Sequence, residues 1–192
     1  MLIAKIVSGG QTGVDRGALE AATELGFPYG GLIPKGRLAE DGIVPLKFDA
    51  MTEATRKDYL FRTEWNVAHS DCTLIISRYN LQPGAVQESL QGGTERTRQF
   101  CVVHEKPYLV IFKGSFNAVR DWLVGTAEQL GKRESGLVLN VAGPRESKNP
   151  GIQATTKEFV KGLILNLMAE QKALDNLEVA AKLPRRCERG LR

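Results

Sequence analysis

Cysteine and histidine are scarce in this chain of 192 residues, which has three of the first and two of the second. The cysteines Cys72, Cys101 and Cys187 are far apart and odd in number, so they do not make the framework of a disulfide-rich protein. With only His69 and His104 beside them, a structural zinc site is not expected either. We therefore expect a protein of a reducing compartment that has no direct protein–metal site.

Long apolar runs are also missing. No uninterrupted stretch approaches the roughly 20 apolar residues that a membrane-spanning helix needs. The start, Met1–Val7, has no cationic segment before a long apolar one, so we expect no signal peptide. The composition, with 42% hydrophobic and 25% charged residues, excludes wholesale disorder and fibrous repeats. These features predict a cytoplasmic protein without a membrane partner.

The net charge of +4 is concentrated near the end of the chain. Residues 171–192 hold six basic and three acidic side chains, which leaves residues 1–170 with a net charge of only +1. A domain so close to neutrality offers no broad surface to a phosphate backbone, so no nucleic-acid partner is expected. We predict one domain over residues 1–170 and a basic, mobile tail over 171–192. A role for the tail in docking a partner stays open.

Strand-like and helix-like patterns alternate through the first 170 residues. Short apolar runs predict five strands, and apolar residues at helical spacing predict five helices between and after them. The strands are 2–7, 29–33, 72–77, 108–112 and 137–142, and the helices are 14–25, about 52–69, about 94–104, 116–130 and 155–169. This alternation predicts an α/β fold with a mainly parallel sheet covered on both faces. Such sheets bind ligands beyond the carboxyl ends of their strands, so the loops found there are the candidate sites.

The loop after the first strand is rich in glycine and in hydrogen-bond donors. Glycines let the backbone approach a ligand closely and leave amides at the start of the next helix free to bind an anion. The alternative is that they only shape the turn. The spacing matches neither the G-x-G-x-x-G dinucleotide fingerprint nor the phosphate loop of NTPases. The candidate ligand-binding residues here are Gly9, Gly10, Gln11, Thr12, Gly13, Asp15 and Arg16.

Cations mark the second loop and the predicted second helix. Lys35 and Arg37 stand where a nicotinamide-binding protein would carry an acidic group, and two cations there suit a phosphate better than a bare ribose. Arg62 and Asn66 share a helix face because they are four residues apart, and Glu64 lies between them in the sequence. A solvated loop and ordinary surface charges are the alternatives for these residues.

The third and fifth loops offer further donors. In the third loop, two glycines and a threonine come directly before a helix, which predicts a second anion-binding helix start like that of the first loop. A simple helix cap is the alternative. The long segment 79–91 before them is either a lid or a variable surface loop. The fifth loop is stiffened by prolines and carries donors, with plain turn chemistry as the alternative. The candidates in these two loops are Gly92, Gly93, Thr94, Arg145, Glu146 and Ser147.

Five of these segments, in this order, resemble the putative molybdenum carrier family over roughly residues 3–168. They are Ser8–Arg16, Pro34–Gly42, Arg62–Val67, Gly92–Thr94 and Ala142–Ser147. That family is similar, with its motifs in permuted order, to Rossmann-like proteins of the lysine-decarboxylase-like superfamily, which includes nucleoside-monophosphate phosphoribohydrolases. The resemblance implies a three-layer Rossmann-like sandwich and a phosphorylated ligand. That ligand is either molybdopterin, the organic part of molybdenum cofactor, or a nucleotide.

The resemblance also bears on catalysis. Phosphoribohydrolases carry a Gly-Gly-x-Gly-Thr-x-x-Glu motif whose Glu works beside an Arg at the N-glycosidic bond. Here Thr97 stands at the corresponding place after Gly92-Gly93-Thr94, and Glu95 has the wrong spacing. Because glycosidic cleavage needs a positioned carboxylate, we favour a binding protein and name no catalytic residue. The alternative is a hydrolase or transferase that acts on a nucleotide or an NAD-derived substrate.

Several expectations remain open at this point. Asp15, Glu64 or Glu146 could replace the missing carboxylate if the fold places one of them suitably. We expect Gly10→Val and Gly93→Val to abolish ligand binding without unfolding the protein. A homo-oligomer is compatible with the apolar helix faces.

Overall fold

The structure, a computed structural model, describes residues 1–77, 90–111 and 116–182. Nearly all of the predicted 79–91 loop therefore lies outside the described residues, as do Cys187 and the last ten residues of the predicted tail. The elements alternate along the chain as an α/β fold, which confirms the predicted class. In the described ranges, no helix has both the length and the apolar character that crossing a membrane requires.

Six parallel strands form the central sheet, in the order β5-β2-β1-β8-β6-β7. Five of them match the predicted strands closely, and the sixth, β5, is an edge strand that the sequence analysis did not predict. Their bounds are β1 Ile3–Val7, β2 Tyr29–Ile33, β5 Met51–Glu53, β6 Cys72–Ile76, β7 Tyr108–Ile111 and β8 Leu137–Ala142. The short strands β3 (Leu38–Ala39) and β4 (Gly42–Ile43) pair with each other as an antiparallel hairpin.

Five α-helices in the described ranges follow the strands, and their bounds are α1 Val14–Glu24, α2 Tyr59–Ala68, α3 Gly92–Val103, α4 Phe116–Gln129 and α5 Ile152–Lys182. The predicted start of α2 near residue 52 was wrong, because residues 51–53 pair with β2 as a strand. Asp58 instead begins this helix as its N-cap, and its carboxylate accepts a hydrogen bond from the Leu60 amide at 2.8 Å. Helix α5 continues to Lys182, past residue 170, where we placed the end of the domain.

Close packing of α1 against α5 fixes the position of the first loop. Gly17 lies at this contact, and a Cβ atom built there would overlap the Gln153 carbonyl oxygen. The same apolar core contains β1, β6 and β8, with Ile3, Leu74 and Leu139 fully buried. The start of α1 is therefore held against the carboxyl end of the sheet.

The strand order reverses at the centre of the sheet. From β1 the chain passes through α1 to β2 on one side, whereas β6 leads through α3 to β7 on the other, and β8 lies between β1 and β6. The loops that leave β1, β6 and β8 therefore diverge from one central point, which is where open α/β sheets form ligand crevices.

Candidate functional site

A cavity of about 600 Å³ lies at the carboxyl ends of β1, β6 and β8. Helices α2 and α3 contribute walls to it, so three of the predicted loops and the predicted helix segment meet there. Half of the eighteen candidate residues line this cavity. They are Gly9, Gln11, Asp15, Arg62, Asn66, Gly92, Gly93, Thr94 and Arg145.

The charges on the cavity wall are predominantly positive. Among the described lining residues there are four cations, Arg62, Arg96, Arg145 and Lys148, and one carboxylate, that of Asp15. Arg62 is neutralised by Asp15, whereas Arg145 lies over the Tyr59 ring and makes a long ionic contact of 4.0 Å with Glu40, outside the cavity wall. Arg96 and Lys148 form no ion pair with any residue that the structure describes. This balance favours an anionic ligand.

Helix α3 begins with amides that are free to bind such a ligand. Gln91 is the N-cap residue, and its side chain makes no capping hydrogen bond. The backbone amides of Gly92, Gly93 and Thr94 have no hydrogen-bond partner within the described part of the chain, whereas the next amide, of Glu95, bonds to the Gln91 carbonyl. Unpaired amides at a helix start, together with the helix dipole, make an anion-binding position.

Helix α1 differs in this respect, although the sequence analysis gave both helix starts the same role. The Gly13 amide donates to Gln153 Oε1 at 3.2 Å, and the Val14 amide donates to the Pro144 carbonyl oxygen at 3.2 Å. A Cβ atom at Gly13 would overlap that same carbonyl oxygen. The glycine therefore serves the close approach of the fifth loop, and the protein itself occupies the amides of Gly13 and Val14.

A buried ion pair lies on the cavity wall beside the first loop. Arg62 Nη1 donates to Asp15 Oδ2 at 2.9 Å, and the two side chains are only 12% and 5% exposed. Burial raises the pKa of the Asp15 carboxyl above its ordinary value of 3.8, although Arg62 acts to lower it. The sequence alone could not place a carboxylate in the site, and the fold brings Asp15 there.

Gln11 carries an unpaired donor in the same region. Its Oε1 accepts hydrogen bonds from the backbone amides of Thr12 at 3.1 Å and Glu40 at 2.8 Å, which fixes the orientation of the side-chain amide. Its Nε2 is buried and has no partner among the described residues. An unsatisfied buried donor costs roughly 1–3 kcal/mol, so a ligand acceptor that paired with this nitrogen would gain free energy from it.

Residues of the second loop hold the first and fifth loops in position without lining the cavity. Glu40 accepts hydrogen bonds from the hydroxyl groups of Thr12 and Ser147, the latter at 2.6 Å. Burial acts to raise the pKa of Glu40, but these hydrogen bonds hold it below its ordinary value of 4.5. Asp41 pairs with the two terminal nitrogens of Arg16. Thr12, Arg16 and Ser147 thus join the loops and do not line the cavity.

The remaining candidates lie outside the cavity lining as well. Arg37 donates to the carbonyl oxygens of residues 44, 45 and 48, and therefore organises its own loop. Lys35 is exposed, and Glu64 pairs with His104 at 3.0 Å. Glu146 accepts hydrogen bonds from the amides of Gly151 and Gln153 at the start of α5, so it caps that helix.

Some lining residues were not singled out from the sequence. Asn140 is a polar residue inside the apolar strand β8, and its amide nitrogen donates to Thr73 Oγ1 at 3.2 Å. Its polarity within a buried strand was the signal that could have marked it. Three further polar lining residues of this kind are Ser77 after β6, Arg96 in α3 and Lys148 in the fifth loop. They are ordinary surface residue types, and only their position brings them to the site.

The chain was compared with known families, curated proteins and solved structures. Residues 6–164 match the model of the circularly permutated YpsA SLOG family. A crystal structure described as that of a putative molybdenum carrier protein from Syntrophus aciditrophicus SB is 40% identical, with a TM-score of 0.70. The match covers 83% of this chain and 93% of that one. No curated protein matches the chain.

Proposed function

Because this chain belongs to the circularly permutated YpsA SLOG family, we propose that it is a binding protein for a phosphorylated heterocyclic ligand and that this ligand is molybdenum cofactor. One observation carries the proposal. Three amides at the start of α3, which no described residue pairs, open onto a cavity whose described lining holds four cations and one carboxylate. The name of the 40% identical neighbour, a putative molybdenum carrier protein, supports the choice of ligand.

The residues present fit the anionic parts of such a ligand. Molybdopterin brings a phosphate, a fused pterin ring and an anionic metal–dithiolene end. Its phosphate suits the amides of residues 92–94, and Arg96 and Lys148, which no described carboxylate neutralises, suit a second anionic group. The cavity volume of about 600 Å³ lies within the range of roughly 300–1,000 Å³ that is usual for small-molecule sites.

Gly93 offers a direct test. Apart from its own helix backbone and chain neighbours, a Cβ atom built here meets no described heavy atom within 4 Å, so we expect Gly93→Val to fold and to crowd the nearby amides. We expect at least a tenfold loss of affinity for molybdopterin or, failing that ligand, for a phosphorylated nucleotide. Gly125→Val is the matched control, because Gly125 also has open space around it and lies in α4, away from the described cavity lining.

Calorimetric titration of the purified chain and both variants is the measurement. If neither molybdopterin nor any member of a nucleotide panel binds at micromolar concentration, the proposed function is wrong. If Gly93→Val binds like the control, the ligand does not use the start of α3.

A second candidate function has one observation in its favour. Asp15 and Arg62 form a carboxylate–guanidinium pair on the cavity wall, which is the pair of groups that N-glycosidic cleavage of a nucleotide uses. Glu95, the carboxylate that follows the glycines of α3, does not take this role, because Arg98 donates a hydrogen bond of 2.6 Å to it. Thr97 donates to the Gly93 carbonyl instead.

Incubation with nucleoside monophosphates and NAD derivatives, followed by chromatography for released base, tests this alternative. Release that disappears in Asp15→Asn would establish the hydrolase. An absence of turnover across the panel would leave the binding function alone.

A further inference from the structure

We propose that the part of the cavity around Asp15 recognises a ring edge in which a carbonyl oxygen stands next to an N–H group, as in a pterin, guanine or hypoxanthine. This inference rests on the proposed function and names the class of heterocycle. It is carried by the juxtaposition of Gln11, Asp15 and Arg62, which all line the cavity.

Two donors in this group lack an acceptor. Gln11 Nε2 and Arg62 Nε are both buried, and neither has a hydrogen-bond partner in the part of the chain that the structure describes. Gln11 Oε1 accepts two backbone amides and Arg62 Nη1 donates to Asp15, and these bonds hold the two side chains in place. Neither side chain can turn to satisfy its free nitrogen without breaking a bond that it already makes.

The acceptor in this group has spare capacity. The Asp15 carboxylate accepts from Arg62 Nη1 at 2.9 Å and from the Gln11 backbone amide. A carboxylate offers about four acceptor positions, so roughly two remain for a ligand. The group therefore presents unpaired donors next to an unfilled acceptor.

A carbonyl group beside a ring N–H complements this arrangement. The carbonyl oxygen has two lone pairs and can accept from both donors, while the adjacent N–H donates to Asp15. An amino-substituted ring such as adenine presents a ring nitrogen with a single lone pair, so one buried donor stays unpaired. A site built around hydrogen bonds discriminates strongly against a ligand that leaves one of its polar groups unsatisfied.

The matched ligand pair for the test is inosine 5′-monophosphate and adenosine 5′-monophosphate, which differ only at this ring edge. Guanosine 5′-monophosphate and a pterin phosphate complete the set, and the full chain is titrated with each. We expect the three carbonyl-bearing ligands to bind at least about tenfold more tightly than adenosine 5′-monophosphate. In Asp15→Asn and in Arg62→Lys, that preference should fall below about threefold.

The outcomes separate the two proposals. Equal affinity for inosine and adenosine monophosphates, or an unchanged preference in both variants, overturns the ring-edge inference and leaves the phosphate site standing. No binding by any carbonyl-bearing ligand at millimolar concentration overturns the inference as well. If Gly93→Val loses affinity for every ligand and Gly125→Val does not, the proposed function is supported, whichever ring is preferred.

Discussion

The Arg62 guanidinium lies against the backbone of Gly9, in the space that any larger residue at position 9 would fill. A Cβ atom built on Gly9 would overlap Arg62 Nη1 and would lie 2.8 Å from Asp15 Oδ2. The glycine in the first loop therefore makes room for the ion pair on the cavity wall. The sequence predicted that a ligand approaches the backbone of this loop closely. At Gly9 it is the side chain of Arg62 that makes this approach.

Gly9→Ala is expected to alter the site without unfolding the protein. The overlapping atoms belong to the end of a long, flexible side chain, so Arg62 can move away, and the backbone at Gly9 does not require a positive φ. Displacement of Arg62 breaks its bond to Asp15 and should weaken ligand binding by about tenfold, the usual effect of losing one charged hydrogen bond. Calorimetric titration measures the affinity, and urea unfolding measures the stability.

Gly125→Ala is the control for this substitution, because the added methyl group meets open space on α4. An affinity for Gly9→Ala equal to that of the control would show that the position of Arg62 does not matter to the ligand.

Gly10→Val should destabilise the fold, whereas the sequence analysis expected it only to abolish ligand binding. Gly10 has a φ of 72° and does not line the described cavity. A Cβ atom there would lie 2.9 Å from Ile33 Cγ2 and 3.1 Å from Val44 Cγ2, both in a buried apolar cluster. Backbone strain and overpacking together should lower the free energy of unfolding by about 2 kcal/mol or more.

Urea denaturation of Gly10→Val beside Gly93→Val checks this difference. Gly93 has open space and no positive φ, so its variant should unfold near the wild-type midpoint. The interpretation fails if the two variants are equally stable.

Asp15→Asn should stabilise the protein at neutral pH. The pKa of Asp15 is raised by burial in the folded state above the ordinary 3.8 that it keeps in the unfolded chain. Between those two pKa values the folded state holds a proton that the unfolded state has lost, so the free energy of unfolding falls as the pH rises. Asparagine carries no charge to bury, and the gain from Asp15→Asn should shrink as the pH approaches 3.8 from above.

Asp41→Asn provides a control of opposite sign for the same urea-denaturation series. The hydrogen bond from Arg16 lowers the pKa of Asp41, so its contribution is present above 3.8 and is lost as the pH falls through its folded pKa. Its variant should be less stable than the wild type at neutral pH. A lower stability of Asp15→Asn at pH 7 would mean that the ion pair with Arg62 outweighs the cost of burial.

The prediction of the elements succeeded where apolar periodicity was unambiguous. The run at Leu137–Ala142 and the helical spacing from Val14 onward gave the observed elements to within a residue. The prediction failed at Met51–Glu53, where three residues with no clear alternation form an edge strand through pairing with β2. Strand pairing is a long-range property that a local pattern does not contain.

The roles of the polar loop residues were predicted less completely. Arg37 and Lys35 are cations in a loop after a strand, as a phosphate site would require. Arg37, however, donates its hydrogen bonds to carbonyl oxygens of its own loop. Residue type indicates what a side chain can bind, whereas the direction in which it points depends on the packing around it. Asn140 shows the converse, because an asparagine in a buried strand reaches the cavity.

The sequence by itself determined the alternating α/β order, the parallel sheet and the glycine-rich turns at the strand ends, because these depend on spacing and on local backbone freedom. Only the tertiary structure decided which turn keeps free amides. The close contact of the fifth loop and Gln153 with the start of α1 uses the amides of Gly13 and Val14, and no such partner reaches the start of α3 within the described residues. The two turns look alike in sequence, and the neighbours that the fold brings to each make them different.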